Sequence, residues 1–274
     1  MDYGEWCEPG ADVMKTMMSA FKDGQPEVAT AYYAYSSGIL AKISEILGNG
    51  ADADKYKEIS EKATEAYRYL VLKDGHIRSE RQCEYVRPLA FCLLPEKEAE
   101  EAAKGLNELV VKNDYHLNTG FLSTPFLCRV LADHGYVDTA YRLLLQKSYP
   151  SWLYAVEKGA TTVWETWDGI REDGTVHDSL NHYSYGAVSG WLLSGVLGIR
   201  YDFDKVLIKP LPDERLKYAK GYYDSPKGRI VSEWKYIESS NSFAYRFEIP
   251  EGMEAELELP DGEKRILTSG SYEI

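Results

Sequence analysis

The chain has 274 residues, 44% hydrophobic, 13% aromatic and 27% charged, which is enough apolar mass for one large domain or two ordinary ones and excludes a disordered chain. With 31 Lys and Arg against 44 Asp and Glu, the net charge of −13 repels phosphate backbones and anionic lipid, so neither nucleic acid nor a membrane surface is expected as a partner. No apolar run approaches the ~20 residues of a membrane span, and Met1-Asp2-Tyr3-Gly4-Glu5-Trp6 lacks the basic-then-apolar order of a signal peptide, so a cytoplasmic location is expected.

From the N-terminus, a first short helix is weakly signalled over 13–21. Pro26 then opens a stronger one, in which Val28, Tyr32, Tyr35, Ile39, Ile43 and Ile46 recur at three and four until Gly48-Asn49-Gly50. The spacing predicts a second helix over 54–72, with Tyr56, Ile59, Ala63, Ala66, Tyr67 and Leu70 on its apolar face. Further helices are predicted over 79–93, 96–111, 124–134, 137–145 and 183–197, joined mostly by short loops that favour antiparallel neighbours. Near residue 200 the period changes to two. Residues 206–209, 229–234, 243–249 and 254–259 alternate like half-buried strands, with Ser225-Pro226-Lys227-Gly228, Pro250-Glu251-Gly252 and Pro260-Asp261-Gly262 as turns. The pattern implies a helical domain over 1–200 and an antiparallel β-sandwich over 201–274.

Cys7, Cys83, Cys92 and Cys128 lack the CxxC spacing of a zinc or redox site and suit buried thiols in a reducing compartment. Asp168, Asp173 and Asp178 are spaced by five, unlike a calcium ladder, and fit a solvated acidic loop. No phosphate loop, dinucleotide fingerprint, GxSxG elbow or internal repeat is present, so no metal and no cofactor is expected. His76, His116, His134 and His177 receive no function.

The densest constellation is Gly159-Ala160-Thr161-Thr162-Val163-Trp164-Glu165-Thr166-Trp167-Asp168-Gly169, followed by Ser179-Leu180-Asn181-His182-Tyr183. It admits two readings. In one, indole faces stack on a sugar ring, Glu165 activates water and His182 bonds ring hydroxyls. In the other, the tryptophans are core, Glu165 caps a turn and His182 is a structural histidine.

These segments, with Thr119-Gly120-Phe121-Leu122-Ser123-Thr124-Pro125 and Tyr149-Pro150-Ser151-Trp152 before them, resemble in order the C-terminal part of the bacterial α-L-rhamnosidase family of glycoside hydrolases. Ile208-Lys209-Pro210, Ser225-Pro226-Lys227-Gly228 and Ile249-Pro250 are similar to that family's C-terminal β-sandwich. The resemblance implies a partial (α/α)6 barrel and inverting hydrolysis of terminal α-L-rhamnosides. It implies Glu165 as general base, Trp164 and Trp167 as pocket walls and His182 as a sugar ligand. Trp6 would line the pocket through Tyr3-Gly4-Glu5-Trp6, where Glu5 replaces the Asp of the family's Gly-Asp-Trp.

The family's general acid lies in an Asp/Glu-Arg-rich segment upstream, and no second Glu here fits that motif. The chain by itself is therefore expected to be inactive, with a rhamnose-containing glycoside as substrate and a missing N-terminal half as partner. Two alternatives remain: a non-catalytic sugar-binding relative, and an (α/α)6 enzyme acting on a different glycan.

Overall fold

The computed structural model describes residues 4–274 except 13, 14, 17, 19–21, 23, 203 and 204. The helix expected over 13–21 falls on a stretch mostly outside the described residues, as does Tyr3 of the N-terminal motif. The chain divides into two compact units, Met1–Gly186 and Ala187–Ile274.

In the first unit, α1 (Pro26–Ile46) and α2 (Gly50–Val71) form a long helical hairpin. Pro26 starts α1, where its missing N–H costs nothing. The face of α1 that is buried differs from the expected one. Beyond Val28 it consists of small residues, Ala31, Ala34, Ser37 and Ser44, while Ile39, Ile43 and Ile46 stay exposed. Close approach is the physical reason. Ser60 Oγ of α2 donates to Ala34 O at 2.8 Å, and a Cβ on Gly38 would lie 3.1 Å from that hydroxyl. The core here joins Ala31, Ala34, Ala63 and Tyr67 to Phe91 and Leu93.

A two-residue turn at Asp74-Gly75, both with positive φ, closes a small hairpin of β1 (Leu72–Lys73) and β2 (His76–Ile77). An Asp-Gly pair at that spacing is the usual sequence signal for such a turn. Then come α3 (Cys83–Ala90), shorter than the expected 79–93, α4 (Glu96–Lys112), α5 (Thr124–Asp133) and α6 (Val137–Leu144). An additional helix, α7 (Trp152–Glu157), is capped by Ser151, whose Oγ accepts from Tyr154 N at 3.1 Å. None of the helices in the described residues is long and apolar enough to cross a membrane.

In place of the single helix expected over 183–197, residues Ser184–Val188 form a 3-10 helix, Ser189–Trp191 one α turn and Leu192–Val196 a π segment. In the second unit the π segment and its exit are tied to the sheet. Trp234 Nε1 donates to Val196 O at 2.8 Å and Ser232 Oγ to Leu197 O at 2.6 Å. Each bond satisfies a backbone carbonyl at the C-terminal end, where a helix leaves its last carbonyls without an intrahelical partner.

The second unit holds β3 (Ile199–Asp202), β4 (Lys205–Ile208), β5 (Tyr218–Ser225), β6 (Gly228–Ile237), β7 (Ser242–Ile249), β8 (Ala255–Glu258), β9 (Lys264–Leu267) and β10 (Gly270–Glu273). Two four-stranded sheets, ordered β10-β7-β6-β5 and β3-β4-β8-β9, enclose a shared core of Ile208, Ile230, Phe247, Ile249 and Leu257. The sandwich is antiparallel except for β4 and β8, which pair in parallel with Leu207 opposite Glu256. Alternation in sequence marks which face is buried, not which strand lies beside which, so this pairing had no signature.

Gly198 sits where this unit turns into β3. Its φ is +75°, and an added Cβ would lie 2.1 Å from the backbone carbon of Lys209. Strain and backbone collision act together, so Gly198→Ala is expected to cost more than about 2 kcal/mol. Urea unfolding followed by tryptophan fluorescence checks this; a midpoint equal to the parent chain's would refute it.

Candidate functional site

The site region in the first unit is organised by a buried ionic cluster. Arg87 of α3 is 0% exposed and lies between Glu5 and Glu27. Its Nε reaches both carboxylate oxygens of Glu27 at 3.1 Å, Nη1 donates to Glu5 and Nη2 to Glu27. Glu5 Oε1 also accepts from Gly120 N at 2.8 Å and Ser123 N at 3.0 Å, and Oε2 from Ser123 Oγ at 2.8 Å. Tyr67 of α2 donates to Glu27 Oε1 at 2.7 Å. Burial pushes the Glu5 carboxyl above its ordinary range, opposed by the Arg87 charge and the Ser123 hydrogen bonds.

This cluster pins the segment carrying Trp6 against the turn at 119–123. Phe121 N donates to Trp6 O at 2.8 Å, and a Cβ on Gly120 would sit 2.0 Å from that oxygen, so only glycine permits the approach. From the same turn the Phe121 ring stacks on His182 at 4.8 Å and meets Tyr185 edge-on at 5.2 Å. Tyr185 in turn lies flat on Trp167 at 3.9 Å and donates its hydroxyl to Cys7 O.

The two segments singled out by sequence run side by side. Glu165 N donates to Ser179 O at 2.8 Å, Ser179 N returns a bond to Glu165 Oε2 at 3.1 Å, and His182 N donates to Val163 O at 2.7 Å. Glu165 is half-buried, and no ion-pair partner stands against its carboxylate among the described residues. Burial pushes the Cys7 thiol up to about 12, with the charges of Glu165 and Asp178 adding to it. The His182 ring is sandwiched between Phe121 and Tyr183, and its Nδ1 accepts from Ser184 N at 3.3 Å. With Nδ1 accepting, the proton of the neutral ring sits on Nε2, which is left as a donor.

Glu165, His182, Trp167 and the backbone of Trp6 thus belong to one connected assembly. Trp164 and Trp167 are only 4% and 5% exposed. Trp164 backs onto Gly169, and Trp167 commits its indole N–H to Thr119 O at 3.2 Å and its edge contact to Trp152. Both support the assembly more than they present surface. The sequence reading missed Phe121 and Tyr185, the rings that link its parts, because isolated aromatics carry no spacing signal. It also assigned nothing to His177. In the structure His177 Nδ1 lies 2.8 Å from Asp178 Oδ2, and Nε2 makes an ion-pair contact of 3.0 Å to Asp168 Oδ1.

In chain order, helical hairpins whose loops gather a carboxylate, an imidazole and stacked rings are followed by a two-sheet β-sandwich. The chain belongs to the bacterial alpha-L-rhamnosidase family: the model of that family's 6 hairpin glycosidase domain matches residues 1–196, and that of its C-terminal domain matches residues 195–272. It is 34% identical over 94% of its length to an alpha-L-rhamnosidase of Streptomyces avermitilis, of which it covers 24%, and 33% identical to one from Alteromonas sp., of which it covers 29%. The crystal structure of the S. avermitilis enzyme complexed with L-rhamnose matches 99% of this chain with a TM-score of 0.87 at 32% identity, over 28% of that chain. The native Aspergillus terreus enzyme matches all of it with a TM-score of 0.90 at 30% identity, over 33% of that chain. The chain spans about a quarter of the length of the curated relatives it matches.

Removing Arg87 would leave two carboxylates facing each other without a counter-charge. Arg87→Ala is therefore expected to cost about 3–5 kcal/mol. Thermal unfolding of the variant checks this, and a melting temperature unchanged from the parent would refute it.

Proposed function

We propose that this chain supplies the general-base side of an inverting α-L-rhamnosidase site. The observation that carries the reading is Glu165, a half-buried carboxylate fixed by one backbone N–H, without a cation, and alongside His182 with its Nε2 donor. Held this way, Glu165 Oε1 accepts a proton from water as that water attacks the anomeric carbon. His182 Nε2–H bonds a ring hydroxyl, and Trp6 offers an apolar face to the ring. Family membership and the relatives' named activity support the assignment.

Inversion needs a second carboxyl group roughly 6.5–9.5 Å from the first, across the scissile bond, and no residue here matches the family's acid segment. The acid and the other pocket wall are assigned to the remaining hairpins of the rhamnosidase domain. The outer face of α1 supports such a partner: Tyr33, Ile39, Leu40, Ile43 and Ile46 are all exposed on this helix, as is Leu47 just after it, a larger apolar display than scattered surface residues produce.

By itself the 274-residue chain is then expected to hydrolyse natural rhamnosides negligibly. Activated aryl rhamnosides, whose phenolate leaves with less help from an acid, should show any residual turnover. Supplying the remaining hairpins should restore activity, and Glu165→Gln should lower that restored rate by about 10²–10⁴-fold. An assay with 4-nitrophenyl α-L-rhamnoside, with and without the complementing half, tests all three. Full activity of Glu165→Gln, or robust cleavage of a natural rhamnoside by the chain alone, would refute the assignment.

A further inference from the structure

The outer face of the sheet β10-β7-β6-β5 carries a groove of about 690 Å³ that lies wholly within the second unit. Register places two rows of side chains across the strands. One row is Tyr218, Lys235 and Ala244; the other is Lys220, Glu233, Arg246 and Glu273. Successive rows on one face stand ~7 Å apart and three inter-strand spacings cover ~14 Å, so the groove has the width of one ring and the length of more than one. Its floor is open because Ala244, a residue that strands use sparingly, stands where its neighbours carry long side chains.

One wall is fixed in advance. Glu233 holds Lys220 Nζ at 3.4 Å and Arg246 Nη1 at 2.7 Å, and Arg246 also pairs with Glu248, so little side-chain freedom is left to lose when something binds. The other groups are uncommitted. Tyr218 is 68% exposed, and among the described residues no hydrogen bond or ion pair engages its hydroxyl, the Lys235 ammonium or the Glu273 carboxylate. Tyr222, four residues on along the same face, already carries the Arg229 guanidinium over its ring at 3.8 Å, so Tyr218 is the exposed ring at the groove. The residue before it, Lys217, holds φ at +68°, which is costly without glycine, and Tyr236 N secures it by donating to Lys217 O at 2.8 Å. That bend sets the start of β5, whose first residue is Tyr218.

The chemistry of the occupant follows from the rows. Three cations, Lys220, Lys235 and Arg246, stand against three anions, Glu233, Glu248 and Glu273, so the face offers no net field to a polyanion or a polycation. A folded protein is a poor fit, because the core of such an interface is depleted of charge and here ions run along the groove. An extended peptide would pair with the open edge of β5 rather than lie across the strands. What matches is a chain of neutral rings, with hydroxyls that donate to Glu273 and accept from Lys235 and an apolar C–H face for Tyr218.

We propose that this sheet face is a glycan-binding platform, which holds an extended, neutral chain of equatorially substituted pyranoses, the polysaccharide to which the rhamnoside is attached. Equatorial hydroxyls leave the C–H face of each ring free to meet an aromatic side chain. The choice of a carbohydrate rests on the rhamnosidase reading, but the platform uses none of the residues assigned to catalysis.

Ligand-observed NMR titration of the 274-residue chain with cellohexaose tests the platform. The oligomer should bind, and hexagalacturonate should bind at least about tenfold more weakly. Tyr218→Ala should weaken cellohexaose binding by about tenfold, and Lys235→Ala and Glu273→Gln by about 2–10-fold each. Ala244→Arg, which lays a long side chain along the floor, should abolish it. All four positions are exposed, so the variants keep the fold, and circular dichroism verifies this. Glu165→Gln, in the other unit, should bind cellohexaose as the parent does. Absence of cellohexaose binding, parent-like binding by Tyr218→Ala or Ala244→Arg, equal affinity for hexagalacturonate, or loss of binding in Glu165→Gln would each overturn the proposal. So would a concentration-dependent dimer in analytical ultracentrifugation that Ala244→Arg dissociates, since it would assign the face to a second copy of the chain. Failure of the base assignment shows instead in the rhamnoside assay of Glu165→Gln.

Discussion

A fully buried guanidinium between two carboxylates holds this hairpin unit together. Arg87 alone in the interior would be prohibitively costly, and a single carboxylate would leave part of its five-donor fork unused. Glu5 and Glu27 fill that fork but bring one negative charge too many. Gly120 N, Ser123 N, Ser123 Oγ and the Tyr67 hydroxyl offset the excess by donating to them. The groups come from the segment at 4–8, α1, α2, α3 and the turn before α5, so satisfying one cluster fixes five parts of the chain. Because the cluster is nearly dry, it tolerates little drift, and the Trp6–Phe121 contact inherits that precision.

From Phe121 the ordering passes through rings rather than charges. Trp152, Trp167, Tyr185, Phe121, His182 and Tyr183 form a continuous series, with neighbouring centroids 3.9–5.6 Å apart. The series also has polar anchors: Trp152 Nε1 donates to Tyr185 O at 2.9 Å and Trp167 Nε1 to Thr119 O. Flat, rigid side chains lose little conformational entropy when packed, so such a row can hold an imidazole at fixed tilt. Trp167, which the sequence nominated as a pocket wall, is spent on this series, while Tyr183 at its end is exposed.

This explains what was legible in the sequence. Helical periodicity and Pro26 located α1, and alternation located β4, β6, β7 and β8, because both are local consequences of one buried face. The identity of that face was not local. Close packing of α1 on α2 selects Ala and Ser for the interior, while the larger Ile39, Ile43 and Ile46, which a periodic pattern nominates as core, point outward. The irregular form of the helix at 184–196 likewise escaped detection; the carbonyls at its exit, Val196 O and Leu197 O, are bound by Trp234 and Ser232, distant in sequence. At the site, Glu165 and His182 stood out by their neighbours in sequence. Glu5, Phe121, Asp168 and Asp178 lay in segments the sequence singled out, but their roles depend on partners that spacing does not reveal, and Tyr185 and His177 carried no signal at all.

The same unit therefore uses glutamate in two opposed ways. Glu5 is surrounded by donors on both oxygens, and its carboxylate has no lone pair left for chemistry; it can only hold things in place. Glu165 receives a single N–H, on Oε2, and no cation, so its orientation is set at the cost of one acceptor site while Oε1 stays open. A guanidinium beside Glu165 would have fixed it more firmly, but it would have occupied the oxygen that the proposed general-base role requires to be free. The donors missing around Glu165 are as much part of the design as those crowded around Glu5. The burden of rigidity is moved instead to the neighbouring backbone at 179–182 and to the ring series behind it, which constrain the carboxylate while leaving Oε1 open.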